Sequence, residues 1–130
     1  MKIVKGNVRE IDGLKVPIDD SEMISELVSG RQVYHWEYGD SLFPIIRSGE
    51  FCKISPIKNT HEVRVGDVVY CIIRTREGGR IPMVHMVTKI SDACYNGEKW
   101  FEIGDTRGFV FGWPNEILGK AVGTDMFHQE

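Results

Sequence analysis

Ser41 is the residue whose neighbours best suit it to act as a nucleophile. It follows Gly39-Asp40 and precedes Pro44, so it stands between a glycine turn and a proline turn. A stiff, exposed backbone of this kind gives a serine a fixed approach to a substrate and places N–H groups nearby that could hold an oxyanion. Gly-Asp-Ser is also an ordinary turn sequence, so a purely structural role stays open.

His85 is the candidate general base. It lies inside the apolar segment Pro82–Val87, 44 residues after Ser41. Burial among apolar side chains lowers the pKa of a histidine, which keeps the imidazole neutral and able to accept a proton at neutral pH. The alternative is a histidine that packs in a strand for structural reasons. Lys89 is a rival base, but four residues of strand place it about 13 Å from His85, so both cannot serve Ser41, and we choose His85.

Two aspartates could orient His85. Asp67 and Asp105 each follow a glycine, in Gly66-Asp67 and Gly104-Asp105. Gly-Asp is a favoured turn pair, so either aspartate could instead close a turn. The residues alone leave this choice open.

Turns and short strands must position these side chains. The 14 glycines are spread along the chain, which predicts many short segments rather than a helical bundle. One short helix is predicted after a cap at Asp19–Ser21, with a stop at Gly30. Hairpin or strand-linking turns are predicted at Asp12-Gly13, Glu77–Arg80 and Asn96-Gly97. The segments predicted as strands are Gln32–Tyr38, Phe51–Ile57, Val65–Thr75, Pro82–Ile90, Trp100–Ile103 and Ile117–Val122. The fold class predicted is mostly β, with antiparallel strands.

Composition excludes several classes of function. A net charge of −3 argues against a protein that grips nucleic acid directly. No apolar run reaches the roughly 18–20 residues of a membrane span, and the N-terminus has no signal-peptide core, so we expect no membrane association and a soluble, cytoplasmic protein. The three cysteines, an odd number without CxxC spacing, are expected as thiols. The four histidines show no metal-ligand spacing, so no metal and no cofactor is expected.

Four boxes in order resemble the superfamily of serine peptidases that contains LexA-type self-cleaving repressors and type I signal peptidases. The nucleophile box of that superfamily, Gly-x-Ser-Met-x-Pro followed by Gly-Asp, is similar to Gly39–Pro44 followed by Gly49-Glu50. Leu42 replaces the methionine, and Glu50 replaces the aspartate. The second box is similar to Val65–Val69 and the third to Pro82–Val87. The closing box has two parts, which are similar to Gly104-Asp105 and Gly119–Gly123. The resemblance covers about Tyr38 to Gly123.

The resemblance implies a coiled antiparallel β fold with a peptide-binding groove beside the serine. The length, the N-terminal turn and cap residues and this resemblance together predict one domain in three parts: an N-terminal hairpin and short helix at 1–37, a peptidase-like β core at 38–123 and a tail at 124–130. Segment Pro82–Val87 resembles the branch that uses histidine rather than lysine as base, as in endoplasmic-reticulum and archaeal signal peptidases. That branch has a later aspartate as the acid partner of the histidine. Because Thr106–Pro114 contains no Asp or Glu, Asp105 must fill this role or the site is a Ser41–His85 dyad.

The function expected is a serine peptidase that cleaves a peptide bond in a partner protein or in itself. Self-cleavage at Ser29-Gly30 is disfavoured because this bond lies only 12 residues before Ser41. The chain has neither a predicted membrane anchor nor room for an N-terminal helix-turn-helix, which argues against signal-peptide processing and against a repressor. A phage or mobile-element origin is an analogy only, and the oligomeric state stays open, with a dimer as one option.

The alternative function is an inactive member of the same fold that holds an extended peptide by strand addition. Six aromatic residues could supply surface for a peptide, although most are expected in the core: Trp36, Tyr38, Phe43, Trp100, Phe109 and Trp113.

Overall fold

The protein is mostly β, as predicted. A computed structural model describes residues 8–95 and 98–122, without the side chains of residues 92–95 and 98. Its one α-helix is α1, Asp20–Val28. The strands are β1 Glu10–Ile11, β2 Leu14–Lys15, β3 Val33–Trp36, β4 Phe51–Pro56, β5 Val68–Arg74, β6 Arg80–Tyr95, β7 Glu98–Gly104, β8 Val110–Gly112 and β9 Glu116–Ala121.

The chain divides into two compact units, of which the first contains Met1–Pro56 and Ala121–Glu130. In this unit β1 and β2 form the hairpin predicted at Asp12-Gly13, and β3 pairs with β4 in antiparallel register. Asp19 caps α1 by accepting a hydrogen bond from the Glu22 N–H at 2.8 Å, which confirms the predicted helix start. A small core of Ile11, Val16, Tyr34 and Phe51 joins the hairpin to the β3–β4 pair.

The second unit, Ile57–Lys120, contains β5 to β8 and all of β9 except Ala121. Its strands pair in the order β9-β5-β6-β7-β8, and every pair is antiparallel. Val69, Val87, Phe101 and Ile103 lie in one buried apolar cluster on this sheet. The β-branched and aromatic residues of β5 and β7 suit a strand that packs one face on a core. His85 and Asp105 belong to this unit, whereas Ser41 belongs to the first.

Most of the predicted strands are confirmed, with shifted ends. The Glu77–Arg80 turn joins β5 to β6, with Arg74 opposite Arg80. The predicted turn at Asn96-Gly97 lies outside the described residues. Strand β8 was not predicted, because its three residues are too few to show a pattern. The single predicted domain and its boundaries at 37 and 123 stay predictions.

Helix α1 is too short, at nine residues, to cross a bilayer, and residues 8–95 and 98–122 include no longer apolar helix. Cys52 and Cys71 are buried free thiols, as predicted. The side chain of Cys94 lies outside the described residues.

Candidate functional site

Ser41 lies in a closed loop between β3 and β4, residues 37–50, which we call the serine loop. The ends of the loop meet where Glu37 N–H donates to the Glu50 carbonyl at 2.9 Å and Gly49 N–H donates to the Glu37 carbonyl at 2.8 Å. Gly49 and Glu50 therefore both lie opposite Glu37. This arrangement of two residues opposite one is a β-bulge. Gly49 has φ +89° and is third in the turn that the Glu50 N–H closes onto the Arg47 carbonyl. This left-handed backbone favours glycine, which explains the glycine of the second half of the nucleophile box.

Two buried side chains hold the loop in place. Leu42 and Ile46 are fully buried, and the N–H groups of Ile45 and Ile46 both donate to the Leu42 carbonyl. Ser41 precedes this turn and is partly exposed. The N–H of Gly39 donates to Ser48 Oγ at 3.0 Å, which links the two sides of the loop. Ser41 thus lies on backbone fixed by hydrogen bonds on both sides, as its neighbours predicted.

The base of the serine loop contains two buried carboxylates, of which Glu37 was not singled out from the sequence and Glu50 was named only as part of the nucleophile box. Glu37 and Glu50 are both buried, at opposed positions of the bulge. His35 Nε2 lies 2.9 Å from Glu37 Oε1, and Arg47 Nε lies 4.0 Å from Glu50 Oε1. A charge taken out of water needs such partners, so these contacts tie the loop base together. A glutamate beside an aromatic strand carries no sequence signal of burial, which is why Glu37 was missed.

Cys52 lies in the electrostatic field of both carboxylates. Burial, which has the largest effect, and the charges of Glu37 and Glu50 together raise the pKa of the Cys52 thiol to about 12. Burial alone raises the pKa of Cys71, in the second unit, to about 12. Neither thiol is a nucleophile at neutral pH, because the thiolate is the reactive form.

His85 lies in the middle of β6, where Val69 of β5 is its antiparallel partner. Side chains alternate along a strand, so His85 shares its face with Met83 and Val87, which contact the buried core. The imidazole is partly buried and stacks on the Phe111 ring, with centroids 4.1 Å apart and planes 15° apart. The sheet register and this ring together fix the orientation of the imidazole. Phe111 was missed because the contact is between distant parts of the chain.

Asp105 lies directly after the paired part of β7. Met86 pairs with Gly104 and Val87 with Ile103, so His85 of β6 and Asp105 each lie next to the end pair of this register. Asp105 is buried, and its carboxylate accepts from the N–H groups of Arg107 and Phe109 at 2.9 and 3.0 Å and from Arg107 Nη2 at 3.3 Å.

Burial alone would raise the pKa of the Asp105 carboxyl. The hydrogen bonds from Phe109 and Arg107 outweigh burial and lower that pKa below its ordinary value. Asp105 is therefore an anion at neutral pH that also closes a turn. Its neighbour Gly104 must be glycine for steric reasons, since a Cβ there would lie 2.6 Å from the Phe109 carbonyl oxygen.

The other candidates take different roles. Asp67 accepts from the Arg64 N–H at 2.8 Å and lies 3.7 Å from Lys120 Nζ, so it closes the turn before β5. Lys89 is exposed and lies opposite Glu102 in the register of β6 and β7. Among the described residues, no three His, Cys, Asp or Glu side chains are grouped so that they could hold a metal ion.

The expectation that most of the six aromatics lie in the core is wrong. Tyr38 and Phe43, on the serine loop, are 79% and 52% exposed. Phe109, Trp113 and Trp100 are also exposed, and Trp36 alone of the six is less so. Four of these five exposed residues lie in loops or turns, which offer no layer to cover them, and Trp100 lies on β7.

No family model matches this chain, and no similar curated protein or solved structure was found in comparisons with known proteins. Membership of the LexA and signal-peptidase superfamily therefore stays a prediction from the motifs. The meeting of Ser41 with His85 stays a prediction as well.

Proposed function

We propose that the protein is a soluble, cytoplasmic serine peptidase that cleaves a peptide bond in a partner protein. In this proposal Ser41 is the nucleophile, His85 is the general base and Asp105 orients the imidazole. The observation that supports it best is the β6–β7 register, in which the candidate base and a buried, ionised aspartate both lie next to the end pair Met86 and Gly104. An aspartate at that position would favour the tautomer and orientation that a base needs.

The chemistry proceeds in two balanced steps. His85 takes the hydroxyl proton of Ser41 while Oγ attacks the peptide carbonyl, and backbone N–H groups beside Ser41 stabilise the oxyanion. The imidazolium then gives this proton to the leaving amine, and an ester to Ser41 remains. Water attacks the ester with His85 again as base, which releases the acid and regenerates the serine. The charge of Asp105 stabilises the imidazolium in both steps.

Cleavage of the chain's own Ser29-Gly30 bond is not part of the proposal. Ser29 has φ −78° and ψ 0°, and Gly30 N–H donates to the Leu27 carbonyl at 3.0 Å. The bond therefore lies in the hydrogen-bonded end of α1 and not in the extended form in which peptides add to a sheet.

A mixture of unstructured peptides tests the activity. The wild type, Ser41→Ala and the matched control Ser21→Ala, which changes an exposed serine of α1, are each incubated with the mixture, and new termini are identified by mass spectrometry. We expect cleavage by the wild type and by Ser21→Ala but not by Ser41→Ala. Cleavage that persists in Ser41→Ala, or no cleavage by any of the three, would reject the peptidase proposal.

A peptide-binding module without turnover is the second candidate. The observations that favour it are the exposed aromatics and the position of β8, which ends the order of its sheet among the described strands. An extended peptide adds to such an edge by main-chain hydrogen bonds, with side-chain contacts giving specificity. Capture of peptides by Ser41→Ala that is lost in Phe109→Ser, but kept in the control Val28→Ser on exposed α1, would support this module. Equal capture by both would reject it.

A further inference from the structure

A pocket of about 390 Å³ lies within the first unit, and its lining includes none of the residues of the proposed chemistry. Gly13, Leu14 and Lys15 of the β1–β2 hairpin form one side, and Glu26, Arg31 and Gln32 form the other. This volume falls at the lower end of the range of small-molecule sites. The pocket therefore suits a small ligand.

The Arg31 guanidinium is fixed at this pocket from two directions. The backbone N–H of Arg31 donates to the Glu26 carbonyl at 3.0 Å. The backbone N–H of Gly30, which has φ +84°, donates to the Leu27 carbonyl. These two bonds form the Schellman motif that ends α1. The side chain then returns to the same residue, with Nε and Nη2 donating to the two Glu26 oxygens at 3.1 and 2.8 Å. The fork of the guanidinium thereby loses its freedom before any ligand arrives.

The location of Glu26 is unfavourable except as a support for Arg31. Glu26 is buried in the last turn of α1, where the helix dipole favours cations, and that turn has no basic residue. The hydrogen bond from Arg31 lowers the pKa of the Glu26 carboxyl, against the effect of burial, and the charges of Arg31 and Lys15 add to the lowering. Glu26 is thus an anion, and both of its carboxylate oxygens accept hydrogen bonds from Arg31.

The residues that line the pocket carry one positive charge in excess. Arg31 and Lys15 contribute two, and Glu26 removes one. Lys15 acts on Glu26 through its charge, yet among the described residues it belongs to no ion pair within 4.0 Å. Leu14 and the aliphatic stems of Lys15 and Arg31 provide apolar surface beside this charge. Such a site matches a ligand with one negative group attached to a small apolar group.

We propose that this pocket binds a carboxylate joined to a small branched apolar group. A free organic acid and the C-terminal residue of a peptide both have this chemistry. Lys15 and the free edge of the Arg31 guanidinium bind the carboxylate, and Leu14 contacts the apolar group. The pocket needs neither Ser41 nor His85, so binding there is independent of peptidase activity.

Titration with isovalerate, followed through the backbone amide signals of Gly13 and Leu14 by NMR, tests the pocket. Isovaleramide is the neutral control of the same shape. We expect saturable shifts with isovalerate and about threefold to tenfold weaker binding of the amide, since an ionic hydrogen bond in a partly exposed site is worth a modest factor. Equal binding of the two compounds, or no saturation below about 50 mM isovalerate, would overturn the proposal.

Substitutions of Lys15 and Arg31 test whether these two cations bind the carboxylate of isovalerate. Lys15→Gln should weaken isovalerate binding by about threefold to tenfold, whereas Lys58→Gln, an exposed lysine outside the pocket, should leave it unchanged. Arg31→Lys keeps a cation beside Glu26 but loses the fork, so it should weaken binding while the protein stays folded. Unchanged binding in both Lys15→Gln and Arg31→Lys would contradict the site.

A comparison of acetyl-Ala-Val with its C-terminal amide identifies the source of the carboxylate. Tighter binding of the peptide acid than of isovalerate assigns the pocket to peptide C-termini. Tighter binding of isovalerate assigns it to free acids. Failure of both acids to bind better than their amides would refute the proposal.

Discussion

Ser41 and His85 are held by different kinds of structure. Ser41 lies in a loop fixed by its own turns, by a bulge at Gly49 and by two buried anchors, Leu42 and Ile46. His85 lies inside a long strand and is paired with Val69 of β5. A single substitution can therefore move the loop while the strands stay intact, whereas His85 cannot move without the sheet. Positioning of the nucleophile should depend on a few local residues, and positioning of the base on the whole second unit.

Asp105→Asn should give the largest change. If the aspartate orients His85, removal of its charge lowers the rate of Ser41 labelling by a serine-reactive probe by about 10²- to 10⁴-fold. The matched control Asp67→Asn, which alters a turn aspartate, should label at close to the wild-type rate. Labelling of Asp105→Asn at the wild-type rate would reduce the site to a dyad.

The same variant has a pH signature in stability. The pKa of Asp105 is lowered in the folded protein. Ionised Asp105 therefore makes its full contribution to the free energy of unfolding above the ordinary aspartate pKa of 3.8, and this contribution is lost as the pH falls through the pKa of the folded protein. Wild type should therefore exceed Asp105→Asn in thermal stability at neutral pH, with the difference shrinking only below about pH 4. A constant difference down to lower pH would argue against an ionised Asp105.

Alkylation of the two buried cysteines reports on each unit separately. The pKa of Cys52 and of Cys71 is raised from 9.0 to about 12, so at pH 8 the native thiolate population is about a thousandfold below that of a free cysteine. Peptide mapping after iodoacetamide treatment should show both residues unmodified in the native protein and modified in denaturant. Faster reaction of Cys52 than of Cys71 in dilute denaturant would show that the unit with the serine loop opens first.

Leu42→Ala should destabilise the serine loop and its unit. Removal of a fully buried leucine costs about 2–5 kcal/mol when its surroundings cannot collapse. Chemical denaturation measures the loss, and the exposed Ile45→Ala in the same loop is the control, with a change within about 0.5 kcal/mol. A small effect of Leu42→Ala would mean that the loop is not anchored by its side chains.

Gly49→Ala should have a smaller effect on stability but a specific one on labelling. An alanine in the left-handed region costs about 1–2 kcal/mol. Gly78→Ala, at φ +83° in the turn between β5 and β6, carries a matched strain in the other unit. We expect similar losses of stability, with slower Ser41 labelling in Gly49→Ala alone. Equal slowing in both variants would remove the distinction between a locally held nucleophile and a base held by the sheet.

Local signals account for the parts of the fold that could be predicted. Asp12-Gly13 suits a two-residue hairpin, Asp19 is a strong helix cap, and β5 is rich in β-branched residues, so each element is encoded within a few residues. Strand β8 could not be predicted, because it exists only through pairing with β7. The exposed aromatics were misplaced because hydrophobicity predicts burial only when a second layer is present.

The candidate site divides in the same way. The turn around Ser41 follows from glycine and proline positions, which are visible in the sequence. The positions of His85 and Asp105 next to one end pair depend on the register of β6 and β7, and the stacking of His85 on Phe111 depends on a contact between distant strands. Burial of Glu37 and Glu50 depends likewise on the bulge that closes the loop. Such features become visible only when the strands are paired.

Labelling by a fluorophosphonate probe, followed by peptide mapping, shows whether Ser41 is a nucleophile that depends on His85. Wild type should be modified at Ser41, Ser41→Ala should remain unmodified, and His85→Ala should react about 10²- to 10⁴-fold more slowly, because it lacks the base. Lys89→Ala should react like wild type, since this exposed lysine is not the base. A wild type that is not labelled at Ser41, or a His85→Ala variant that is labelled as fast as wild type, would contradict the account.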